Sequence, residues 1–394
     1  MTPAGRAQAA IELLDEIIAS SREGGAAADT LIARYFKTRR YAGSKDRRAV
    51  RELVYRAIRR SGERPTTGRA AILGEAEDEP DLLALFDGSP HGPSPLLPGE
   101  DVSLATRAPR WLHDRLDPLI DESDLAALLE RAPLDLRVNA LKGTQEEALA
   151  ALTEAVPTCL SPMGLRLPDG FQVEATDAWR AGLVEIQDEG SQLLAIACDA
   201  RAGMTVVDLC AGAGGKTMAL AAEMGNSGRL IASDTDRTRL SRMTPRLERA
   251  GIAIVEMRLL DPNREIAALS DLNGAADVVL VDAPCSGTGT WRRNPELRWR
   301  LTPERLDRLA ALQARLLDMA AELVRPGGHL VYAVCSVLAR EGRDQAEALG
   351  ERRSALVSEA PVMNGGRPAG PGRLLTPAHD GTDGFFVARW RASC

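Results

Sequence analysis

The sequence predicts an α/β protein whose C-terminal half is a parallel sheet with crossover helices, preceded by a small α/β unit and a helical N-terminal region. Three observations predict it. From residue 190 onward, short apolar runs alternate with longer helical patterns, as strands joined by crossover helices do. The first of these runs opens into a glycine-rich turn, DLCAGAGGKT at Asp208–Thr217, and then a helix. Before residue 61, by contrast, two segments carry apolar residues at helical spacing.

The first helix covers 7–20, with Ala10, Leu13, Leu14, Ile17 and Ile18 on one face. The second runs from Lys45 to Arg60 and buries Val50, Leu53, Val54, Ala57 and Ile58. Between Arg34 and Arg60 the basic residues face only Asp46 and Glu52. So one-sided a run suits RNA phosphates as well as it suits a solvated helix face. Residues 61–69 read as a linker, and then the sign reverses. Gly74–Asp101 holds Glu75, Glu77, Asp78, Glu79, Asp81, Asp87, Glu100 and Asp101 with no Lys or Arg. Prolines 90, 93, 95 and 98 leave it irregular around a short helix at 81–86.

Helices at 122–131 and 144–155 and strands at 135–140, 164–167 and 171–174 form the small α/β unit. Strands then follow at 205–209, 229–233, 253–258, 278–281 and 329–334, with helices at 191–199, 216–224, 236–250 and 302–325. Phe385 and Phe386 belong to the core of a final strand. The resulting division is 1–75 helical, 76–130 linker and helical connection, 131–189 small α/β, and 190–394 the large sheet, with no internal repeat.

Composition sets limits. The net charge of −7 excludes a uniformly basic nucleic-acid binder, although it is silent on local patches. At 4% aromatic residues, stacking platforms are few. No run approaches the roughly 20 apolar residues of a membrane helix, and the start lacks a signal-peptide core, so a cytoplasmic protein is expected. The six cysteines have no CxxC spacing, so no metal is expected and the thiols should be free. A monomer is expected, because no large apolar helix face is left over.

The glycine-rich turn could hold three kinds of ligand. A Walker phosphate loop needs glycine five residues before Gly215, and that position is Cys210. A dinucleotide fingerprint finds Gly212 and Gly214 but Thr217 where its third glycine belongs. S-adenosylmethionine has no phosphates and asks only for close backbone approach. Asp234 ends the second strand about 20 residues on, where an acid grips ribose hydroxyls. Asp261 follows the third strand, within reach of an adenine amine.

The fourth strand ends in DAPCSGTGT, Asp282–Thr290, and the fifth in VYAVCS with Cys335. If these strands are neighbours, Asp282, Cys285 and Cys335 face one pocket at the carboxyl edge, where such sheets bind ligands. That set suits methylation of cytosine at carbon-5. A thiolate added to carbon-6 makes carbon-5 nucleophilic, and a carboxyl group at the N3 edge stabilises the charge that develops there. The base must be unpaired or flipped to enter.

These segments resemble the Sun family of RNA (cytosine-5) methyltransferases, the bacterial RsmB-like rRNA enzymes in particular. RVNALKG at 137–143, IQDEGSQL at 186–193 and DGTDGFFVARW at 380–390 are also similar to that family. The resemblance implies a Rossmann-like S-adenosylmethionine methyltransferase domain. It implies cofactor contacts from Cys210, Ala211, Gly212, Ala213, Gly214, Gly215 and Lys216, then Asp234, Asp261 and Asp282. It implies that Cys335 attacks the base, Cys285 assists release, and Asp282 contributes to catalysis. The glycine loop differs from the commoner family form in having Gly212-Ala213 where many members have Ala-Pro. DRRAVRELVYRAIRR is similar to part of a NusB-like RNA-binding domain, here short. The expected substrate is small-subunit (16S) rRNA, with tRNA second; a non-catalytic ribosome-assembly protein is the alternative. Arg292, Arg293, Arg298 and Arg300, with Trp291 and Trp299, are expected to touch RNA.

Overall fold

Helix α1 (Pro3–Glu23) begins where the Thr2 hydroxyl accepts from Gly5 N at 3.0 Å, and it ends at Gly24, whose φ of 70° makes a left-handed cap. Its apolar face is the one the spacing predicts, and Leu13, Leu14 and Ile17 are fully buried. In the computed structural model, which describes all 394 residues, the chain divides into two units.

The first unit comprises Met1–Leu116, Asp121–Glu130 and Thr290–Pro303. Here α1 packs with α2 (Ala28–Thr38), α3 (Ser44–Arg60) and α4 (Gly68–Glu75) around Phe36, Val50, Val54, Ile58 and Ile72. The expected linker at 61–69 therefore ends in a helix. Thr67 caps α4 by accepting from Ala70 N at 3.0 Å, and a Cβ on Gly68 would lie 2.2 Å from the Ile11 carbonyl. Only glycine lets α4 approach α1 so closely. The acidic stretch folds back on the basic helix. Arg56 pairs with Glu75 at 2.7 Å and with Glu79, and Arg60 pairs with Asp78 at 2.8 Å and with Glu77. The two opposite charge runs thus neutralise each other at the C-terminal end of α3. Lys37, Arg40, Lys45, Arg47 and Arg48 remain exposed at its other end.

The basic-aromatic cluster is the main correction. Arg298 is 1% exposed and donates to the carbonyls of Arg107 (2.6 Å), Ile58 (2.5 Å), Arg59 (3.2 Å) and Pro295 (3.0 Å). Trp299 donates from Nε1 to Ser61 O at 2.7 Å, and Arg300 donates to Gly25 O at 2.8 Å. Trp291 and Arg292 are buried as well, and Arg293 is half-buried. Planar guanidinium forks have satisfied the carbonyl groups at helix ends, so this segment holds the helical unit together.

The second unit comprises Asp117–Ile120, Arg131–Gly289 and Glu304–Cys394. It holds a small antiparallel sheet in the order β2-β3-β1-β4: β1 Leu134–Val138, β2 Val156–Pro157, β3 Gly164–Leu167, β4 Val184–Ile186. No strand forms at 171–174. The turn at Gly170 (φ 80°) leads into a 3-10 turn, and Thr176 then caps the short helix Asp177–Arg180.

The large sheet has the order β11-β12-β13-β9-β8-β5-β6-β7, with β10 beside β13. Its strands are β5 (Thr205–Asp208), β6 (Arg229–Asp234), β7 (Val255–Leu259), β8 (Ala276–Asp282), β9 (Val324–Val334), β10 (Leu356–Glu359), β11 (Arg367–Ala369), β12 (Gly372–Leu375) and β13 (Phe385–Ala392). Strands β5 to β9 pair in parallel and β13 pairs antiparallel with β9. This is a Rossmann-like sheet with an antiparallel strand, β13, beside β9. Fully buried parallel strands need apolar residues on both faces, which is why Val278–Val281 and Leu330–Val334 are continuous apolar runs. The helix expected at 236–250 is broken into Arg237–Ser241 and Met243–Ala250. Pro245 lacks an N–H and fits only the first turn of the second piece.

Candidate active site

Strand β5 has β6 on one side and β8 on the other. The chain reverses its winding there, which opens a crevice at the carboxyl ends of the strands. The turn after β5 is fixed by backbone bonds to both neighbours: Leu209 N donates to Leu280 O and Ala211 N to Ser233 O, each at 2.9 Å. Gly212 (φ 57°) and Gly214 (φ 85°) hold conformations that side chains resist. Helix Gly215–Glu223 starts immediately after, so its first N–H groups have no partner within the helix. A Cβ built on Gly215 meets nothing within 4 Å, so open space lies before this turn.

Acidic groups border that space. Asp234 ends β6 and accepts from Gly212 N at 2.9 Å and Asp236 N at 2.8 Å. Leu260 N donates to Asp234 O at 2.9 Å, which sets the next residue, exposed Asp261, beside it. Asp282 ends β8 and accepts from Lys216 Nζ at 2.7 Å. Burial alone would lower the Lys216 ammonium, yet Asp282 outweighs it, with a smaller contribution from Cys335, and holds it above its ordinary value.

The neighbour relation on which the cysteines depend is present, because β8 pairs with β9 from Val278↔His329 to Asp282↔Ala333. Cys285 Sγ and Cys335 Sγ are 3.3 Å apart. The Cys335 sulfur and burial push the Cys285 thiol well up, with Glu341 adding to it.

A family model described as 16S rRNA methyltransferase RsmB/F matches residues 195–391. The ribosomal RNA small subunit methyltransferase B of Xylella fastidiosa (strain 9a5c) is 38% identical over 297 residues, which is 73% of this chain and 69% of that protein. The chain belongs to the RsmB/F family. The protein of the same name from Enterobacter sp. (strain 638) is 35% identical over 71% of this chain, although only 65% of its own length is covered. Among solved structures, PH0851 is similar in fold over 99% of both chains, with a TM-score of 0.78 at 24% identity. The NSun6 of Pyrococcus horikoshii, solved with SFG, is similar in fold over 69% of this chain and 94% of its own, with a TM-score of 0.62 at 20% identity.

As a member of the RsmB/F family, the chain is an RNA methyltransferase that draws on S-adenosylmethionine. The residues fit that cofactor: an open glycine cradle, carboxyl groups at the ends of β6 and β8 and one just past the end of β7, and a lysine at the helix start. Of the expected set, the turn from Cys210 to Lys216, Asp234, Asp261, Asp282, Cys285 and Cys335 all lie at the carboxyl edge of one sheet. Cys210 is half-buried, and desolvation, with Asp208 adding to it, pushes its thiol well up.

Several site residues escape sequence reasoning. Arg246 donates to Ala213 O at 2.5 Å while paired with Glu185 at 2.8 Å, so it braces the glycine turn from a distant helix. Asp208 is fully buried, with one oxygen accepting from Thr217 Oγ1 at 2.7 Å and the other unpartnered. Burial, with Asp282 adding to it, pushes its carboxyl up to about 7 against the Thr217 bond. Neither residue carries a spacing signal.

Proposed function

We propose that this chain methylates carbon-5 of a cytosine in small-subunit rRNA through a transient bond between Cys335 and carbon-6 of the base. The observation that carries this reading is the pair of thiols 3.3 Å apart, beside the Lys216–Asp282 ion pair at the end of β8. The Xylella relative bears the name of a small-subunit rRNA methyltransferase, which supports the substrate.

In this reading S-adenosylmethionine supplies an electrophilic methyl group, held by the 210–216 turn with Asp234 and Asp261. The Cys335 thiolate adds to carbon-6, and the Lys216–Asp282 pair meets the N3 edge, where the Lys216 ammonium offsets the negative charge that moves onto the ring. Once carbon-5 carries the methyl group, its proton would pass to a solvent water, and the carbon–sulfur bond would break with its electron pair returning to Cys335 as the thiolate. Cys285, whose thiol the neighbouring sulfur and burial raise, assists that release. The exposed basic residues at the start of α3, with Tyr41 72% exposed among them, suit RNA phosphates and one stacked base.

The test is labelled methyl transfer to unmethylated rRNA by the unaltered protein and by Cys285→Ala. The variant should accumulate a protein–RNA adduct, seen as a slow band on a denaturing gel. Full turnover with no adduct would remove Cys285 from the release step.

A further inference from the structure

Six residues after Cys335, Glu341 lies fully buried beneath both cysteine loops. Its Oε1 accepts from Ser286 N at 2.8 Å and from Gln313 Nε2 at 3.0 Å. Its Oε2 accepts from Ser336 Oγ at 2.6 Å and from Ser286 Oγ. Ser286 directly follows Cys285, and Ser336 directly follows Cys335. Gln313 also donates to the carbonyl of Pro284 at 2.9 Å, so the residues on both sides of Cys285 are held. Glu341 is itself fixed, because Tyr332 OH donates to its carbonyl at 2.6 Å from within β9.

A buried carboxyl group is costly unless its oxygens are hydrogen-bonded, and here four donors satisfy both and make the network rigid. The loop geometry explains its use here. Backbone bonds fix the two loops at their ends, through Ala283 N to Ala333 O at 2.9 Å, Gly289 N to Cys335 O at 3.1 Å, Gly384 N to Gly289 O at 2.8 Å and Asp117 N to Val337 O at 2.9 Å. A single side chain that binds both loops at the residues next to the sulfurs adds a constraint where the sulfurs sit. Thr288 supports it, contacting Ser336 Oγ at 3.1 Å and accepting from Val337 N at 3.0 Å.

We propose that Glu341 is a positioning residue for the two-cysteine reaction: it ties the amide and hydroxyl of Ser286, behind Cys285, to the hydroxyl of Ser336, behind Cys335, and so sets the distance between the sulfurs. The inference rests on the reaction proposed above, but its geometry can be tested apart from that reaction.

The experiment compares the full-length protein with Glu341→Ala and Glu341→Gln by two readouts. The first needs no RNA. Diamide takes one hydrogen from each thiol, joins Cys285 to Cys335 and is reduced to its hydrazine, so the rate of that disulfide reports how well the sulfurs are held together. The alanine variant should form it on the order of tenfold more slowly while S-adenosylmethionine affinity is unchanged, since the cofactor turn lies on β5. The glutamine variant should recover most of the rate. Its carbonyl can accept from Ser286 N and its amide can donate to the serine hydroxyls.

The second readout is turnover on rRNA. A sulfur misplaced by about 1 Å can cost on the order of 10²-fold, so Glu341→Ala should lose turnover on that scale and shift the ratio of adduct to released product upward. A merely destabilised protein loses both in proportion and is not rescued by glutamine. An alanine variant that cross-links as fast as the unaltered protein overturns the positioning role, whatever its activity. No methylation by the unaltered protein, with slower cross-linking in the alanine variant, overturns the reaction and leaves the constraint standing.

Discussion

Cys285 and Cys335 are the same residue type 3.3 Å apart, and the proposed reaction gives them different work. Lys216 pairs with Asp282 at the end of β8, whereas the Cys335 sulfur, burial and the Glu341 carboxyl group all raise the Cys285 thiol. The account expects Cys335→Ala to lose at least about 10³-fold in methyl transfer with cofactor affinity intact, measured by filter binding of labelled RNA and by calorimetry. Asp208 makes a different prediction. Its carboxyl is raised to about 7 by burial, above its value in the unfolded chain, so the folded state holds the extra proton. Its contribution to stability is complete below about pH 4 and is lost as pH rises through 7. Asp208→Asn should flatten that part of the stability–pH curve, as read from urea midpoints between pH 5 and pH 8. A curve of unchanged slope would mean the carboxyl is charged in the fold.

At the scale of elements, the segment after the Cys285 loop is legible as basic and aromatic but not as to its role. WRRNPELRWR has the composition of an RNA surface, and nothing in its spacing says that Arg298 will meet the carbonyls of Arg107, Ile58 and Arg59. Burial pulls the Arg298 guanidinium down to about 9, yet carbonyl dipoles on several sides keep it in place. Arg298→Ala should leave those carbonyls unpaired and cost about 2–4 kcal/mol of stability, read by urea denaturation. A loss under about 0.5 kcal/mol would return the residue to the surface role expected from sequence. The parallel strands are readable because a fully buried strand must be apolar throughout, as VVLV at 278–281 is. Strands β11 and β12 are not, since three- and four-residue segments beside glycines leave no period to count. The acids of the site are readable from their places at successive strand ends. Glu341 is not, because its meaning depends on a loop 55 residues away.

At the scale of the whole molecule, a net charge of −7 conceals two opposed surfaces. The acidic stretch covers Arg56 and Arg60 and leaves the basic residues nearer the start of α3 uncovered. Arg40→Glu with Arg48→Glu should weaken rRNA binding across sequences. It should also lower the slope of log affinity against log salt by about one for each phosphate that is no longer neutralised, without changing cofactor affinity. An unchanged slope would place RNA elsewhere on the chain. No helix is long and apolar enough to cross a membrane. The most direct test of the central claim is to incubate the protein with methyl-labelled S-adenosylmethionine and unmethylated 16S rRNA, digest the RNA and identify the labelled nucleoside. The account predicts labelled 5-methylcytidine from the unaltered protein and none from Cys335→Ala; label on any other nucleoside, or full labelling by Cys335→Ala, would contradict it.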